Sequence, residues 1–350
     1  MRLPGYRALG LFWAAVLAAL AGGAGTLAWL GPVPEPMVAE APATPAPQAP
    51  APVAEAPATP PPPPAPDPAL AEPPRPDGPP VIAAPDPALL EASRHGAVPR
   101  LGPGNRSSVR AYARPFDRSD TRARIGIVIN NIGLNAQFSE EAIRSLPGGV
   151  TLAFSPYAVR PDRLQDLARA RGMEMLVALP LEPAGFGQQA DPGPQAMLTS
   201  LPLAENLDRL DWALSRIQGQ VGAIGGLGAM RGERFAANAE LLGSVQQALT
   251  RRGLLYLDPR PGAPQPARAV GRGVDLLLDE PSAVRAEVER QLAILESLAR
   301  QRRSAVGLAN NPVPSVVAAI AAWAAGLEER GAVVTPVTVL IRAPAEQATR

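Results

Sequence analysis

Proline is distributed unevenly along this chain, and its distribution restricts where the chain can fold. Of the 44 prolines in 350 residues, 23 lie among the 56 residues from Pro32 to Pro87, mixed with Ala, Thr, Asp and Glu. Such a segment cannot bury a core and is typical of an extended spacer. Between Glu91 and Arg124, eight arginines stand against three acids, which is typical of a solvated approach to a domain. We therefore predict a disordered linker over 32–120 and a folded domain over 121–345.

The first 31 residues predict a membrane anchor. Arg2 and Arg7 precede an uncharged stretch from Ala8 to Leu30, which as a helix would be roughly 35 Å long and would cross a hydrocarbon core of about 30 Å. Because the basic residues lie before this stretch, the positive-inside rule places the N-terminus in the cytoplasm. The predicted location is the inner membrane of a Gram-negative bacterium, single-pass, with the C-terminal domain in the periplasm. A cleaved signal peptide is the alternative, since Gly22–Ala28 supplies small residues suited to cleavage.

The composition excludes several kinds of site. The chain has no cysteine, which excludes disulfides, Cys-ligated metals and thiol catalysis. Its one histidine, His95, lies in the predicted linker with no candidate ligand beside it, and we assign it no role. A His-ligated metal or a Ser-His-Asp triad is therefore difficult to build. The net charge of +1 gives no general attraction to nucleic acid, and no nucleic-acid partner is expected.

Residues 124–343 alternate short apolar runs with helical patterns such as Leu203–Ile217 and Ala283–Arg302. The apolar runs are Ile125–Ile129, Val150–Phe154, Met173–Leu179, Val221–Ile224, Leu254–Leu257, Val274–Leu278, Ala305–Leu308 and Val333–Leu340. Continuous apolar strands separated by helices indicate parallel strands buried on both faces. An open doubly wound sheet and a barrel both fit this pattern. Seven or eight strand–helix units in about 220 residues favour an α/β fold built as a distorted barrel of about seven parallel strands.

The strand ends carry motifs that resemble a known family. The motifs are Ile127–Gly133, Leu146–Tyr157, Leu179–Pro183, Asp191–Pro194, Arg252–Asp258 and Val334–Val337. In this order they resemble the divergent polysaccharide deacetylase family, over nearly the whole predicted domain. That family belongs with carbohydrate esterases that remove N-acetyl groups from chitin-like or peptidoglycan sugars. The resemblance implies a distorted barrel, and in the wider superfamily a divalent metal held by Asp and His beside an Asp base.

The chain departs from the family pattern where the metal chemistry would lie. Asn130-Asn131 stands in the place of an acidic pair. Ala178, Gly226-Leu227 and Asn310-Asn311 stand where histidines would be expected. We therefore expect no metal site and no cofactor, and a domain that is inactive as a metal-dependent deacetylase.

Three carboxylates remain as candidates for chemistry at the strand ends. Glu182, Asp258 and Asp279 could form an all-oxygen site for magnesium or calcium. In the opposing interpretation Asp279 caps a helix, Asp258 pairs with Arg260 in a turn, and Glu182 orders the loop after the third strand. The candidates for sugar binding by hydrogen bonds and stacking are Asn130, Asn131, Tyr157, Arg234 and Arg260.

Three functions are compatible with these residues. The first is a membrane-tethered periplasmic deacetylase-like domain, catalytically degenerate, that recognises an envelope glycan or an envelope protein. The second is an active carbohydrate de-N-acetylase that uses a non-standard carboxylate site, Glu182 and Asp258. The third is a structural envelope protein that keeps the barrel without its pocket. The absent histidines favour the first.

Overall fold

The computed structural model describes residues 81–344, together with Trp13 and residues 15–18, which are helical. The chain divides into two units, Met1–Ala71 and Glu72–Arg350, and the strands described below belong to the second. Most of the predicted anchor, and the predicted linker up to residue 80, lie outside the described residues. Within the described residues, we find no helix that combines the length and the apolar character needed to span a membrane.

The second unit contains strands, helices and two short 3-10 turns, Pro87–Leu89 and Pro103–Asn105. The strands are β1 (Leu90–Ser93), β2 (Gly96–Pro99), β3 (Ala123–Ile132), β4 (Thr151–Phe154), β5 (Met175–Ala178), β6 (Gly222–Ile224), β7 (Leu255–Asp258), β8 (Gly271–Gly273), β9 (Leu276–Leu277), β10 (Ser304–Ala309) and β11 (Ala332–Val334). The helices are α1 (Ser108–Ala111), α2 (Ala136–Ser145), α3 (Asp162–Ala170), α4 (Leu203–Leu214), α5 (Glu233–Ala237), α6 (Ala239–Arg251), α7 (Arg285–Arg302), α8 (Pro314–Ala325) and α9 (Val337–Leu340).

The central sheet is parallel and curled. Its strand order is β8-β7-β6-β5-β4-β3-β10-β9, with β11 pairing β3 at its amino end. Val274 N donates to Asp258 O (2.9 Å) on β7, next to one edge strand, and the next residue, Asp275, donates its N–H to Val306 O (2.8 Å) on β10, next to the other. Two consecutive residues therefore bond to opposite sides of the sheet, which a flat open sheet would keep apart. The α/β fold is as predicted, and this half-barrel of eight strands is consistent with the predicted distorted barrel.

Side chains alternate between two buried layers along the strands. On β3, Ile125, Ile127 and Ile129 pack toward the surrounding helices, whereas Val128 packs in the barrel interior. Both faces are buried, which explains why the strands read as continuous apolar runs. Asn130 follows Val128 by two residues, so the same alternation directs it into the interior at the end of β3.

Residues 81–120, which we call the N-terminal segment, form part of the domain. Ile82, Leu89 and Tyr112 are buried among the side chains of the barrel interior. Ile82 N donates to Arg169 O (3.0 Å), in the last turn of α3 before β5, and Val109 N donates to Gly253 O (3.3 Å), in the turn before β7. The segment therefore closes the amino end of the barrel. The predicted linker boundary at residue 120 is wrong, because a few apolar side chains bury this proline- and arginine-rich stretch.

Two predicted strands differ in the structure. The run Val274–Leu278 is part of the irregular closing stretch, where β8 and β9 flank residues 274 and 275. The run Val333–Leu340 forms β11 and then turns at Pro336 into α9. Leu340 fits against β3 at Gly126, where a Cβ would be 2.7 Å from Leu340 Cδ1. Packing at the amino end thus overrides the strand preference of this β-branched run.

Candidate functional site

Four asparagines meet at the carboxyl end of the barrel, which we call the mouth. Asn130 and Asn131 end β3, and Asn310 and Asn311 follow the neighbouring parallel strand β10. Asn131 Nδ2 donates to Asn311 Oδ1 (2.9 Å), and Asn130 Nδ2 donates to Gly226 O (3.1 Å). The side chains of this asparagine cluster therefore join β3, β10 and the loop after β6.

The backbone at the cluster needs unusual conformations. Asn131 lies in the left-handed region, with φ 56°, which asparagine tolerates better than most residues. Gly228, in the loop after β6, has φ 54°, and a Cβ there would overlap Asn131 Nδ2. Position 228 therefore requires glycine, because only a residue without a side chain lets the backbone of this loop approach Asn131 so closely.

Two buried oxygens of the cluster lack a hydrogen-bond donor. Asn310 Nδ2 donates to Asp279 Oδ1 (3.0 Å) and Glu280 Oε1 (2.9 Å). A flipped amide would place its oxygen against both carboxylates, so the orientation is fixed. Among the described residues, Asn310 Oδ1 and Asn131 Oδ1 are buried acceptors without a partner. Leaving such an acceptor unpaired costs about 1–3 kcal/mol, and the pair suits a ligand that donates hydrogen bonds.

Asp279 does not cap a helix, contrary to the interpretation from sequence. The helix α7 begins at Arg285, six residues later, so Asp279 is too far away to accept from its first turn. Its carboxylate instead accepts from Asn310 N (2.8 Å) and Asn311 N (3.3 Å). Burial raises the pKa of Asp279 and the nearby charge of Glu280 raises it further, while the backbone donors lower it. Asp279 therefore holds the end of β10 in place.

The other two candidate carboxylates are engaged by neighbouring groups. Glu182 Oε2 accepts from Thr199 N (2.5 Å) and Thr199 Oγ1 (2.6 Å), and its Oε1 lies 3.0 Å from Arg234 Nε. Asp258 accepts from Arg260 N (3.1 Å), Nε (2.9 Å) and Nη2 (2.7 Å). The hydrogen bond to Asp258 raises the pKa of Arg260. In the structure Glu182 thus holds the loop that contains Thr199, and Asp258 pairs with Arg260. Both contacts agree with the opposing interpretation from the sequence.

The remaining sugar-binding candidates lie in two different settings. Tyr157 is half-buried: its hydroxyl accepts from Gln195 N (3.2 Å), and its ring lies 5.2 Å from that of Trp212. Burial raises the pKa of Tyr157. Its hydroxyl therefore orders the loop around residue 195 and makes no direct contact with the asparagine cluster. Arg234 is 60% exposed and extends from Glu182 into solvent, where it could contact a ligand.

The sequence interpretation missed two residues of this network. Arg231 Nη1 lies 2.5 Å from Glu280 Oε1, the same oxygen that accepts from Asn310. This pair links the loop after β6 to the end of β10. Glu280 directly follows Asp279 at a strand end, so the sequence could have indicated it as a site residue. The pairing of Arg231 with Glu280 could not be predicted, because the two residues are far apart in sequence.

The side chains at the mouth do not fit the divalent metal that the family resemblance implies. Zinc takes cysteine, histidine and carboxylate ligands, but the corresponding positions hold Asn130, Ala178 and Asn310. The oxygens of the three mouth carboxylates each accept at least one donor already. Within residues 81–344 and the short described stretch before them, we find no group of three or more His, Asp or Glu side chains placed to hold a metal ion.

Known proteins match this domain in sequence and structure. An uncharacterized protein from Haemophilus influenzae is 23% identical over 218 residues, covering 60% of this chain and 74% of that protein. The crystal structure of uncharacterized protein ATU2773 from Agrobacterium tumefaciens C58 superposes with a TM-score of 0.64 at 31% identity, covering 69% of this chain and 98% of that one. The pattern of divergent polysaccharide deacetylases matches residues 127–341, which run from the middle of β3 to the residue after α9. The chain therefore belongs to the divergent polysaccharide deacetylase family.

Proposed function

We propose that this domain is a catalytically degenerate member of its family that recognises an N-acetylated envelope glycan at the mouth. The supporting observation is the pair of buried acceptors, Asn131 Oδ1 and Asn310 Oδ1. Sugar hydroxyls and acetamido N–H groups are neutral donors that would pair with them. Because the four asparagines carry no charge, they suit a neutral glycan better than an ionic ligand.

The same geometry argues against deacetylation. A general base must lie within hydrogen-bond reach of the water it activates and be free to accept a proton. Glu182 and Asp258 instead already accept from Arg234 and Arg260, and Asp279 accepts from Asn310 and Asn311. Asn130 and Asn131 occupy the place of the family's acidic pair. The Asn130 Nδ2 donates to Gly226 O, and its Oδ1 accepts from Asn131 N.

Glycan binding is tested by calorimetric titration of the full chain with N-acetylglucosamine oligomers. The informative variant is Asn131→Gly, which removes the amide and keeps the left-handed backbone that glycine adopts freely. Loss of one hydrogen bond to a buried acceptor should weaken binding about three- to tenfold. Gln247→Ala, which removes an exposed amide on α6 away from the mouth, is the matched control and should bind unchanged.

Catalysis is tested on the same preparation by acetate release, with and without added divalent metal. We expect no release, and none after Asn130→Asp with Asn131→Asp, since Ala178 and Asn310 supply no imidazole. Metal-dependent release that disappears in Asp258→Ala would establish the active-hydrolase alternative. Absence of both release and glycan binding would contradict the recognition role and leave a protein partner or a structural role.

The tether is a separate part of the proposal. It is supported by Arg2 and Arg7 before the uncharged stretch Ala8–Leu30. A reporter fused after Arg350 that is active only outside the cytoplasm should give a signal. A signal from a cytoplasm-dependent reporter would contradict the topology, and a mature chain beginning near Trp29 would identify a signal peptide instead.

A further inference from the structure

Two adjoining cavities at the amino end of the barrel are lined by arginines. The first encloses about 500 Å³ and the second about 320 Å³, and they share Ser304 and Arg342. The arginines of the first are Arg118, Arg122, Arg124, Arg303 and Arg342, and the second adds Arg272 and Arg302. The acids lining them are Asp120 and Asp275. In a chain whose net charge is only +1, this is a local concentration of positive charge, which we call the arginine cavities.

Several of these guanidinium groups have no carboxylate partner. Within the described residues, Arg122 pairs with Asp120 (2.7 Å) and Glu328 (3.1 Å), but Arg118, Arg124, Arg303 and Arg342 form no ion pair. Arg124 Nη2 donates to the backbone oxygens of residues 118 (2.9 Å) and 120 (3.1 Å). Backbone acceptors fix such a group in position, and the charges of Asp117 and Asp120 nearby balance it only at a distance, without an ion pair. Fixed positive charge in a concave site concentrates the field that attracts an anion.

Arg303 is held in the same way. It follows α7 in a left-handed conformation, with φ 66°, where glycine is the usual residue. Its guanidinium donates to Thr121 O. An arginine therefore occupies a position whose backbone conformation is unfavourable for residues other than glycine, and its guanidinium lines the first cavity.

The second cavity has one carboxylate, Asp275, for three arginines, Arg272, Arg302 and Arg342. Asp275 lies 2.6 Å from Arg272 Nη2 and 3.6 Å from Arg302 Nη1. The Arg272 side chain is 6% exposed; burial lowers its pKa, and the positive charges of Arg342 and Arg302 lower it further, although Asp275 raises it. The positive charge here is thus only partly balanced, and a bound anion would relieve the repulsion.

We infer that the arginine cavities bind a phosphoryl group. Arginine pairs with phosphate through two parallel hydrogen bonds, and Ser304, whose oxygen accepts from Arg272 Nη1, adds a hydroxyl donor beside the guanidinium groups. The site is concave, which suits a single phosphoryl or pyrophosphoryl group. It lies at the opposite end of the barrel from the mouth, so the inference is independent of the proposed glycan recognition. A soluble phosphate compound and a lipid headgroup are the two sources of this chemistry.

The test titrates the full chain with three probes at low ionic strength. The soluble probes are inorganic phosphate and pyrophosphate, and the lipid probe is dihexanoyl phosphatidic acid below its micelle concentration. Dihexanoyl phosphatidylcholine, whose headgroup carries a compensating positive charge, is the control for the acyl chains. We expect saturable binding of at least one phosphate probe, weakening as salt is added.

Arg342→Gln is the first variant, because its side chain is exposed and forms no ion pair within the described residues, so the fold should be retained. Loss of one charge-assisted interaction should weaken binding about tenfold or more. Arg118→Gln, in the first cavity, should act in the same direction. Arg251→Gln removes the same charge from the end of α6, lines neither cavity and should leave the affinity unchanged.

Each result has one meaning. Binding of pyrophosphate alone assigns the site to soluble phosphate compounds, binding of the lipid probe alone assigns it to a headgroup, and binding of both assigns it to the phosphoryl group itself. The inference is overturned if no phosphate probe binds at low salt. It is also overturned if Arg251→Gln weakens binding as much as Arg342→Gln, since the attraction would then be a general effect of charge.

Discussion

The two ends of this barrel differ in how their charged side chains are paired. At the mouth, Glu182 and Asp258 are each matched by an arginine that reaches solvent, and four uncharged asparagines occupy the centre. At the amino end, arginines outnumber carboxylates, and Arg272 is buried with Asp275. At the end to which the family resemblance directs attention, Glu182 and Asp258 are thus paired, and the third carboxylate, Asp279, is buried among neutral donors. Arginines that form no ion pair within the described residues lie at the other end, where the resemblance predicts nothing.

The amino end is also the more heavily sealed. The N-terminal segment and α9 cover it, with Leu89, Tyr112 and Leu340 packed into the barrel interior. Charge near such a covered end is shielded from water and costly to leave unpaired. At the mouth the arginine partners are exposed, Arg234 by 60% and Arg260 by 24%, and can turn toward solvent when their carboxylate is removed. Equivalent mutations of an acid at the two ends should therefore have unequal effects.

The largest difference should come from removing one acid at each end. Asp275→Ala leaves the Arg272 guanidinium buried and unpaired, and also removes the acceptor of Val306 N (2.8 Å). We expect a loss of about 3–5 kcal/mol in the free energy of unfolding. Asp258→Ala frees Arg260, which is 24% exposed and can turn into water, so we expect about 1–2 kcal/mol. Urea unfolding of both variants measures the difference, and equal losses would contradict the contrast between the two ends.

Leu89→Ala tests whether the N-terminal segment belongs to the barrel. Leu89 is fully buried in the interior cluster, so its truncation should cost about 2–5 kcal/mol through lost burial and a cavity. Leu134→Ala, at the mouth and 56% exposed, is the matched control and should change stability by less than about 0.5 kcal/mol. If the two variants unfold at the same urea concentration, residues 81–120 act as a linker after all.

Glu174 should make the amino end sensitive to pH. It is fully buried, accepts from Arg114 N (3.0 Å) and Thr338 N (3.1 Å), and burial raises its pKa to about 7. Because the folded state holds this proton more tightly than the unfolded state, its contribution is complete below the ordinary value of 4.5 and is lost as pH rises through about 7. The loss should approach about 3 kcal/mol.

The measurement is urea unfolding at pH 4 and pH 8 for the unmodified chain and for Glu174→Gln. The variant should lose most of this part of the pH dependence, because glutamine does not ionise. Glu329→Gln, an exposed carboxyl on the same end of the domain, should leave it intact. A pH dependence unchanged in Glu174→Gln would show that the carboxyl does not titrate in this range.

The strands were predictable because burial on both faces leaves an unbroken apolar record in the sequence, as in Ile125–Ile129 and Met173–Leu179. The ordered N-terminal segment was not, because Leu89 and Tyr112 are isolated apolar residues among Pro, Gly and Arg. Their burial depends on long-range contacts with the barrel, which local composition does not encode. Composition alone therefore extended the linker too far.

At the mouth, the positions of the candidate residues were predictable but their partners were not. Parallel strands gather their carboxyl ends at one edge, and the sequence placed both Asn130 and Asn310 at strand ends, where the family's metal chemistry would lie. The short turn from Asp258 to Arg260 also fixed that pair locally. By contrast, Asp279 has two competing uses, and the contact with Asn310 prevails over a helix cap because α7 starts too late.

The smallest effect should come from the one histidine, which lies on neither the mouth nor the arginine cavities. The sequence offered no ligand for His95, but its Nε2 lies 3.1 Å from Asp208 Oδ2 on α4, and Arg94 contacts the same carboxylate. Hydrogen bonding from Arg94, and then from His95, lowers the pKa of Asp208 below its ordinary 3.8. The stabilisation is therefore present above that value and is lost as pH falls through the lowered pKa.

Since the Asp208 side chain is 28% exposed and the Arg94 side chain 72% exposed, this link between the β1–β2 turn and α4 should contribute at most about 1 kcal/mol. Asp208→Asn should show that loss in urea unfolding at pH 7, and the difference from the unmodified chain should shrink in acid and at high salt. Asp191→Asn, an exposed position in a mouth loop where asparagine can still accept from Gly193 N, should be neutral. A loss in Asp208→Asn as large as in Asp275→Ala would mean that exposed and covered ion pairs count alike in this domain, contrary to the contrast between its two ends.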